Sequence, residues 1–153
     1  MELDHVGFFV VHEIENAMPP SAKTMAEQIA QAATAFQEQR TGHEPKSVSV
    51  VLSDDTLVVT LHGALSPAEQ AMAQSPDGAA QVQEFHRKLF HNASDTLRQE
   101  IKRITGMDVR EATAEVEPTS GAIVQVFTCG TMVQVFLLSG KVPSGSFNAG
   151  HKM

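Results

Sequence analysis

Few residues in this chain stand where chemistry would need them. Two aspartates sit side by side at Asp54-Asp55, inside SVSVVLSDDTLVVTLH, and Glu69 follows shortly after. Paired carboxylates can hold a cation or trade a proton. No basic residue or histidine stands next to them, however, and each acid has a structural use where it stands. Aspartate suits a tight turn because its side chain bonds its own backbone. Glu69 lies three residues after Ser66, with Pro67 at the first helical position, which is the spacing of a capping box. The seven histidines are scattered. His5, His12, His43 and His151 fall in terminal or loop segments, and His62 falls on the outer side of a strand. His86 and His91 share a helix but lie five apart. That is roughly 140° around the axis, whereas two ligands for one ion want four-residue spacing. No serine sits in a nucleophile elbow, and Gly140-Lys141 lacks the glycines of a phosphate loop. Cys129 has no histidine near it in sequence and reads as a buried, inert thiol. We therefore expect no catalytic set, no metal site and no cofactor.

One pattern is less ordinary. Arg87, His91, Ser94, Arg98 and Lys102 recur every three or four residues, which places them on one helical face. Arg87, His91, Arg98 and Lys102 would form a basic strip on an acidic protein, fit for an anion or an acidic partner. The competing reading is a solvated face, supported by the Glu84–Lys88 pair beside it.

The composition narrows the classes. The chain has 153 residues, a formal net charge of −7, no Trp and no Tyr. That balance argues against nucleic acid as a partner, as does the lack of the aromatics that commonly stack bases. The single cysteine excludes an intrachain disulfide and a cysteine-based zinc site. No apolar run approaches the length needed to cross a bilayer, so direct membrane insertion is not expected. The acidic start, with Glu2 and Asp4, is unlike a signal peptide, and a cytoplasmic location is expected.

These residues must be positioned by a small set of elements. Residues 1–20 read as an N-terminal arm, with Val6–Val11 as a strand and Pro19-Pro20 ending it. A helix starts at Ser21 or Thr24, where Thr24 and Glu27 form a capping box. It carries Met25, Ile29, Ala32, Ala33 and Phe36 on one face and stops at Gly42. Two strands of period two follow. Val48, Val50 and Leu52 point inward on the first, and Leu57, Val59 and Leu61 on the second, with Asp54-Asp55 as the turn. A short helix starts at Ser66. A long one starts at Ser75-Pro76 and runs to Gly106, with Val82, Phe85, Leu89, Ala93, Leu97, Ile101 and Ile104 inward and a bend at Asn92–Asp95. Asp108–Glu117 and Ala122–Thr128 make a second hairpin. The repeat of VQVF at 124–127 and 133–136 suggests a further strand after Cys129.

The expected fold is α+β: a two-layer protein with a mostly antiparallel sheet of four to five strands and helices on one face. The element order is α-β-β-α-α-β-β, with an optional last strand. The single domain spans 21–139, and 140–153 reads as a flexible tail. An apolar arm and an extra apolar strand would protect the sheet edges by pairing two copies, so a homodimer is expected.

Helix one, GHEPKSVSVVLSDDTLVVTLHGALSPAEQAM, the helix ending ITGMDV, and TSGAIVQVF together resemble the bacterial MpsC family, formerly a domain of unknown function. The residues that carry the likeness are Gly42, Pro45, Asp54, Asp55, Gly63, Leu65, Pro67, Ala68, Glu69, Arg87, Thr105, Gly106 and Gly121, within about Met25 to Thr128. The order of these motifs is more specific than any one of them. His43-Glu44 alters the first loop, Asp95 stands where proline is common, and Thr113 and Glu115 stand where the family usually has His and Asp. The resemblance implies a non-enzymatic accessory protein of a sodium-translocating system linked to inorganic-carbon supply. A membrane transporter subunit would be its partner. A small-anion or metabolite-binding regulatory domain is the alternative, and an enzyme or metal protein the second.

Overall fold

The computed structural model describes the backbone of residues 6–10, and residues 23–128, 138 and 140 in full. Nine elements appear there. In chain order they are β1 (Val6–Val10), α1 (Met25–Thr41), β2 (Ser47–Ser53), β3 (Thr56–His62), α2 (Pro67–Met72), α3 (Pro76–Ala93), α4 (Asp95–Thr105), β4 (Glu111–Glu117) and β5 (Ala122–Thr128). The strands form one antiparallel sheet in the order β1-β2-β3-β5-β4. The two hairpins are joined through β3 and β5, from Thr56↔Thr128 to Leu61↔Ile123. This is the expected α+β class.

Local chemistry sets the element ends. Thr24 caps α1 by accepting from the Glu27 amide, and Glu27 returns the bond to the Thr24 amide, each at 3.1 Å. Ser66 and Glu69 do the same for α2. Gly42 and Gly106 close α1 and α4 in the left-handed conformation. Asp54 takes a φ of 52° at the first position of the hairpin turn, where aspartate tolerates the left-handed region better than most residues.

The core lies between the helices and one sheet face. Val48, Val50, Leu57, Val59, Leu61, Ala114, Val116, Ile123 and Phe127 supply the sheet side. Ile29, Ala33 and Phe36 of α1, Val82 and Phe90 of α3, and Leu97, Ile101 and Ile104 of α4 pack onto them. Phe90 is the hub. It meets Phe36 edge-on at 6.2 Å between ring centroids and Phe127 at 5.8 Å. Such contacts add to simple area burial.

Four expectations change. The long helix is two helices, broken at Ser94, which ends α3 and precedes α4 without a side-chain capping bond. The break falls inside the segment where a bend was expected. The inward stripe of α3 is Val82, His86 and Phe90, whereas Phe85 is 50 % exposed. The last hairpin begins at Glu111 rather than Asp108, and its second strand, β5, is buried along its whole length. The arm does contribute a strand: β1 lies along β2 of the same chain, from Val6↔Ser53 to Val10↔Ser49. The strand proposed after Cys129 and most of the tail lie outside the described residues.

The α2–α3 junction is tight enough to test. Gly78 is the third residue of α3, and a β-carbon there would overlap the Met72 carbonyl oxygen at the end of α2. Helix propensity alone favours Ala over Gly by about 1 kcal/mol. Overpacking against backbone costs about 1–3 kcal/mol. Gly78→Ala is therefore expected to lower the melting temperature by several degrees in a thermal circular-dichroism scan, against the direction propensity gives.

Candidate functional site

Two places bring polar groups and open space together. The first is the start of α2. Glu69 Oε1 accepts from the Ser66 amide at 3.0 Å and from the Ser66 hydroxyl at 3.1 Å. The Nε2–H of His86 donates to Glu69 Oε2 at 2.6 Å. His86 is only 3 % exposed. Serine, glutamate and histidine in contact invite comparison with a hydrolytic triad, but the order is wrong. In a triad the imidazole stands between hydroxyl and carboxylate and takes the hydroxyl proton. Here the carboxylate stands between the other two, bonded to the Ser66 hydroxyl through one oxygen and to His86 through the other. The cluster is a clamp that ties the cap of α2 to the buried face of α3. Burial alone would raise the Glu69 pKa. The Ser66 amide, the His86 bond and the His86 charge together outweigh it and hold the carboxyl below its ordinary value.

The second is an apolar groove of about 360 Å³ between the start of α1, the tip of the β2–β3 hairpin and the end of α4. Ile29, Val50, Leu57, Ile101 and Phe127 reach it from the core. Met25, Leu52 and Met107 form its lip and are 54 %, 42 % and 63 % exposed. Each lip residue sits where an element outruns its cover. Met25 is the first residue of α1, Leu52 continues the inward alternation of β2 past Val50 towards the turn, and Met107 follows the Gly106 cap. Asp54, Asp55 and Asp108 also line it. Among the described residues, every ionisable side chain lining the groove is a carboxylate. Lys102 pairs with Asp108 at 2.9 Å from outside that lining.

The basic strip is divided by the helix break. Arg87 and His91 belong to α3, Arg98 and Lys102 to α4, and Ser94 is buried at the junction. Arg87 donates to Glu84 at 2.9 Å and to Glu115 of β4 at 3.0 Å. Arg98 donates to the Val109 carbonyl at 3.3 Å. An anion docking on the strip would compete with these acceptors and with Asp108. His91 is exposed on α3. His62, on the outer sheet face, meets the Ser49 hydroxyl at 3.1 Å. Among the described residues, no group of three or more His, Cys, Asp or Glu is placed to hold a metal, and no helix is long and apolar enough to cross a membrane.

Sequence reading passed over the groove residues because they come from three distant places. Met25 and Leu52 were assigned to the inward faces of α1 and β2, and Met107 to no face. The available signal was Leu52 itself, an apolar residue carried beyond the last buried one and followed by two acids.

These features define an α+β protein with an open, acid-lined apolar groove. The sequence model of the family described as "Na+-translocating membrane potential-generating system (MpsC)" matches residues 21–130. The chain belongs to the MpsC family. A curated relative, the uncharacterised protein YbcI of Bacillus subtilis strain 168, is 26 % identical over 110 residues. That match covers 72 % of this chain and 89 % of YbcI. No solved structure gives a significant match.

The clamp makes a pH-dependent prediction. The folded pKa of Glu69 lies below the ordinary value of 4.5, so its contribution is complete above that range and is lost as pH falls through the folded value. Glu69→Gln should cost about 1.5–3 kcal/mol at pH 7, the range for a hydrogen bond involving a charged group. Urea melts from pH 7 to pH 3 should show the gap between wild type and variant closing at the acid end. A gap that does not depend on pH would assign the whole effect to packing.

Proposed function

We propose that this protein is a non-enzymatic accessory component that works by docking onto a membrane-embedded partner of a sodium-translocating system, from the cytoplasmic side. The observation that carries the reading is the groove. It is open, largely apolar and built from element ends, and an exposed apolar patch of this kind is a common mark of an interaction site. The family description supplies the system, a sodium-translocating, membrane-potential-generating one. Membrane attachment would then be through a protein partner. The Ser66–Glu69–His86 cluster supports this reading over a serine hydrolase, because its bonding order places the Glu69 carboxylate, and not the imidazole, against the hydroxyl.

The protein is further proposed to act as a homodimer. Light scattering on a sizing column is expected to give twice the 16.5 kDa chain mass, and a mass of one chain across the working concentration range would remove the dimer. The accessory role is tested by purifying the tagged full chain from its own host in mild detergent. An integral membrane protein of an ion-transport system should accompany it in fixed ratio. Recovery free of any membrane protein, with sodium efflux unchanged in a deletion strain, would overturn the role.

A further inference from the structure

A second open space lies beside the clamp, apart from the groove. We infer that this cleft, between the end of α1, α2 and α3, binds a small monocarboxylate with an apolar body. Arg40 takes the carboxylate, and Met72, Val82 and Phe85 hold the body. None of the residues lining the cleft belongs to the groove, so the inference does not depend on the accessory reading above.

The cation comes first. Arg40 stands in the last turn of α1, where a positive charge suits the helix dipole. Its guanidinium carbon lies over the Phe36 ring, 5.0 Å from the centroid. Both interactions use its charge, and neither uses an N–H donor. Among the described residues, no carboxylate pairs with Arg40 and no acceptor bonds its side chain. The basic strip differs on this point, since Arg87, Lys88 and Lys102 each hold an acid already. A guanidinium placed over a ring with its fork unused is suited to grip a carboxylate through two parallel bonds. The apolar wall comes second, and the clamp fixes it. Glu69 holds His86, and the Phe85 ring meets the His86 ring edge-on at 5.0 Å between centroids. The helix rotation that buries His86 leaves Phe85 50 % exposed on this cleft, which Met72, 45 % exposed, also lines. Two large exposed apolar side chains on one concave surface mark a binding site better than a solvated face. Charge and size set the limits. Glu69 lines the cleft as well, so a phosphate or a dicarboxylate would bring more negative charge than Arg40 alone offsets. The space of about 520 Å³ falls within the range of small-molecule pockets, about 300 to 1,000 Å³.

The test uses the full chain with isotope-labelled methionine methyl groups. Met72 reports on the cleft, and Met25 and Met107 report on the groove. The probes are phenylpropionate, its uncharged amide and acetate. Phenylpropionate should shift Met72 saturably and leave Met25 and Met107 in place. The amide and acetate should each bind at least about tenfold more weakly, the first for want of the charge-assisted pair and the second for want of the apolar contact. Arg40→Gln should weaken phenylpropionate at least about tenfold, and Arg40→Lys should recover only part of the loss, because an ammonium has no fork. Phe85→Ala should weaken it severalfold. Both positions are exposed, so the melting temperature of each variant should stay close to that of wild type.

Equal binding of the amide, or an unchanged affinity in a folded Arg40→Gln variant, would overturn the inference. Shifts centred on Met25 and Met107 would overturn it too, by moving the ligand to the groove. So would the absence of a saturable shift at about 10 mM phenylpropionate, weaker than the millimolar binding that one ion pair and one ring supply. The same chemistry occurs at the end of a polypeptide, where a free carboxylate follows an apolar side chain. A peptide of about six residues ending in Phe separates the two sources. Binding no tighter than that of phenylpropionate supports a small-molecule site. Binding at least about tenfold tighter would identify the occupant as a chain terminus and overturn the assignment.

Discussion

Glu69 uses its two carboxylate oxygens on two different elements. Oε1 closes the cap of α2 with Ser66, and Oε2 holds His86 in the middle of α3. The consequence is rotational. A shift of one residue turns a helix by about 100°. With His86 facing the sheet, its neighbour one turn on, Phe90, falls between Phe36 and Phe127, and Phe85 faces out. A polar contact thus decides which apolar side chains form the core. It is affordable because the buried imidazole nitrogen has a charged acceptor, and because the Ser66 amide on the same acid favours its ionised form.

The sheet depends on a second constraint, the meeting of its hairpins through β3 and β5. The three helices between them fill the connection, and α3 and α4 pack over one face. β4 becomes an edge. It carries Glu111, Glu115 and Glu117 on the side away from the helices, which discourages edge-to-edge pairing of like chains. Arg87 from α3 reaches over to Glu115, so part of the basic strip serves to seat the helix against that edge. This exposed pair is worth little in stability, but it uses a cation that an anion site would need.

The parts of the fold written in short-range chemistry were legible in the sequence. Thr24 with Glu27, Ser66 with Glu69, Gly42, Gly106 and the Asp54-Asp55 turn act over a few residues, so a local reading finds them. Both hairpins are period-two patterns with their own turns, and three of the four strands in them have the bounds that the sequence suggests. The rotation of α3 was not legible. Phe85 and Leu89 keep the same helical spacing as His86 and Phe90, and hydrophobicity alone favours the former pair. The deciding partner, Glu69, lies 17 residues earlier on another helix. The break at Ser94 was legible as a preference for a bend but not as a chain stop, because it depends on how α4 packs against α1. The groove was least legible of all. Its lip is assembled from residues 25, 52 and 107, whose common feature is that the core ends beside them.

An open apolar groove is a liability for a free protein, since it invites self-association. The acids around this one reduce that liability by making two grooves repel, and the net charge of −7 works in the same direction. A neutral apolar patch would accept many surfaces, whereas an acid-lined one favours apolar groups delivered next to cations and disfavours membranes rich in anionic lipid.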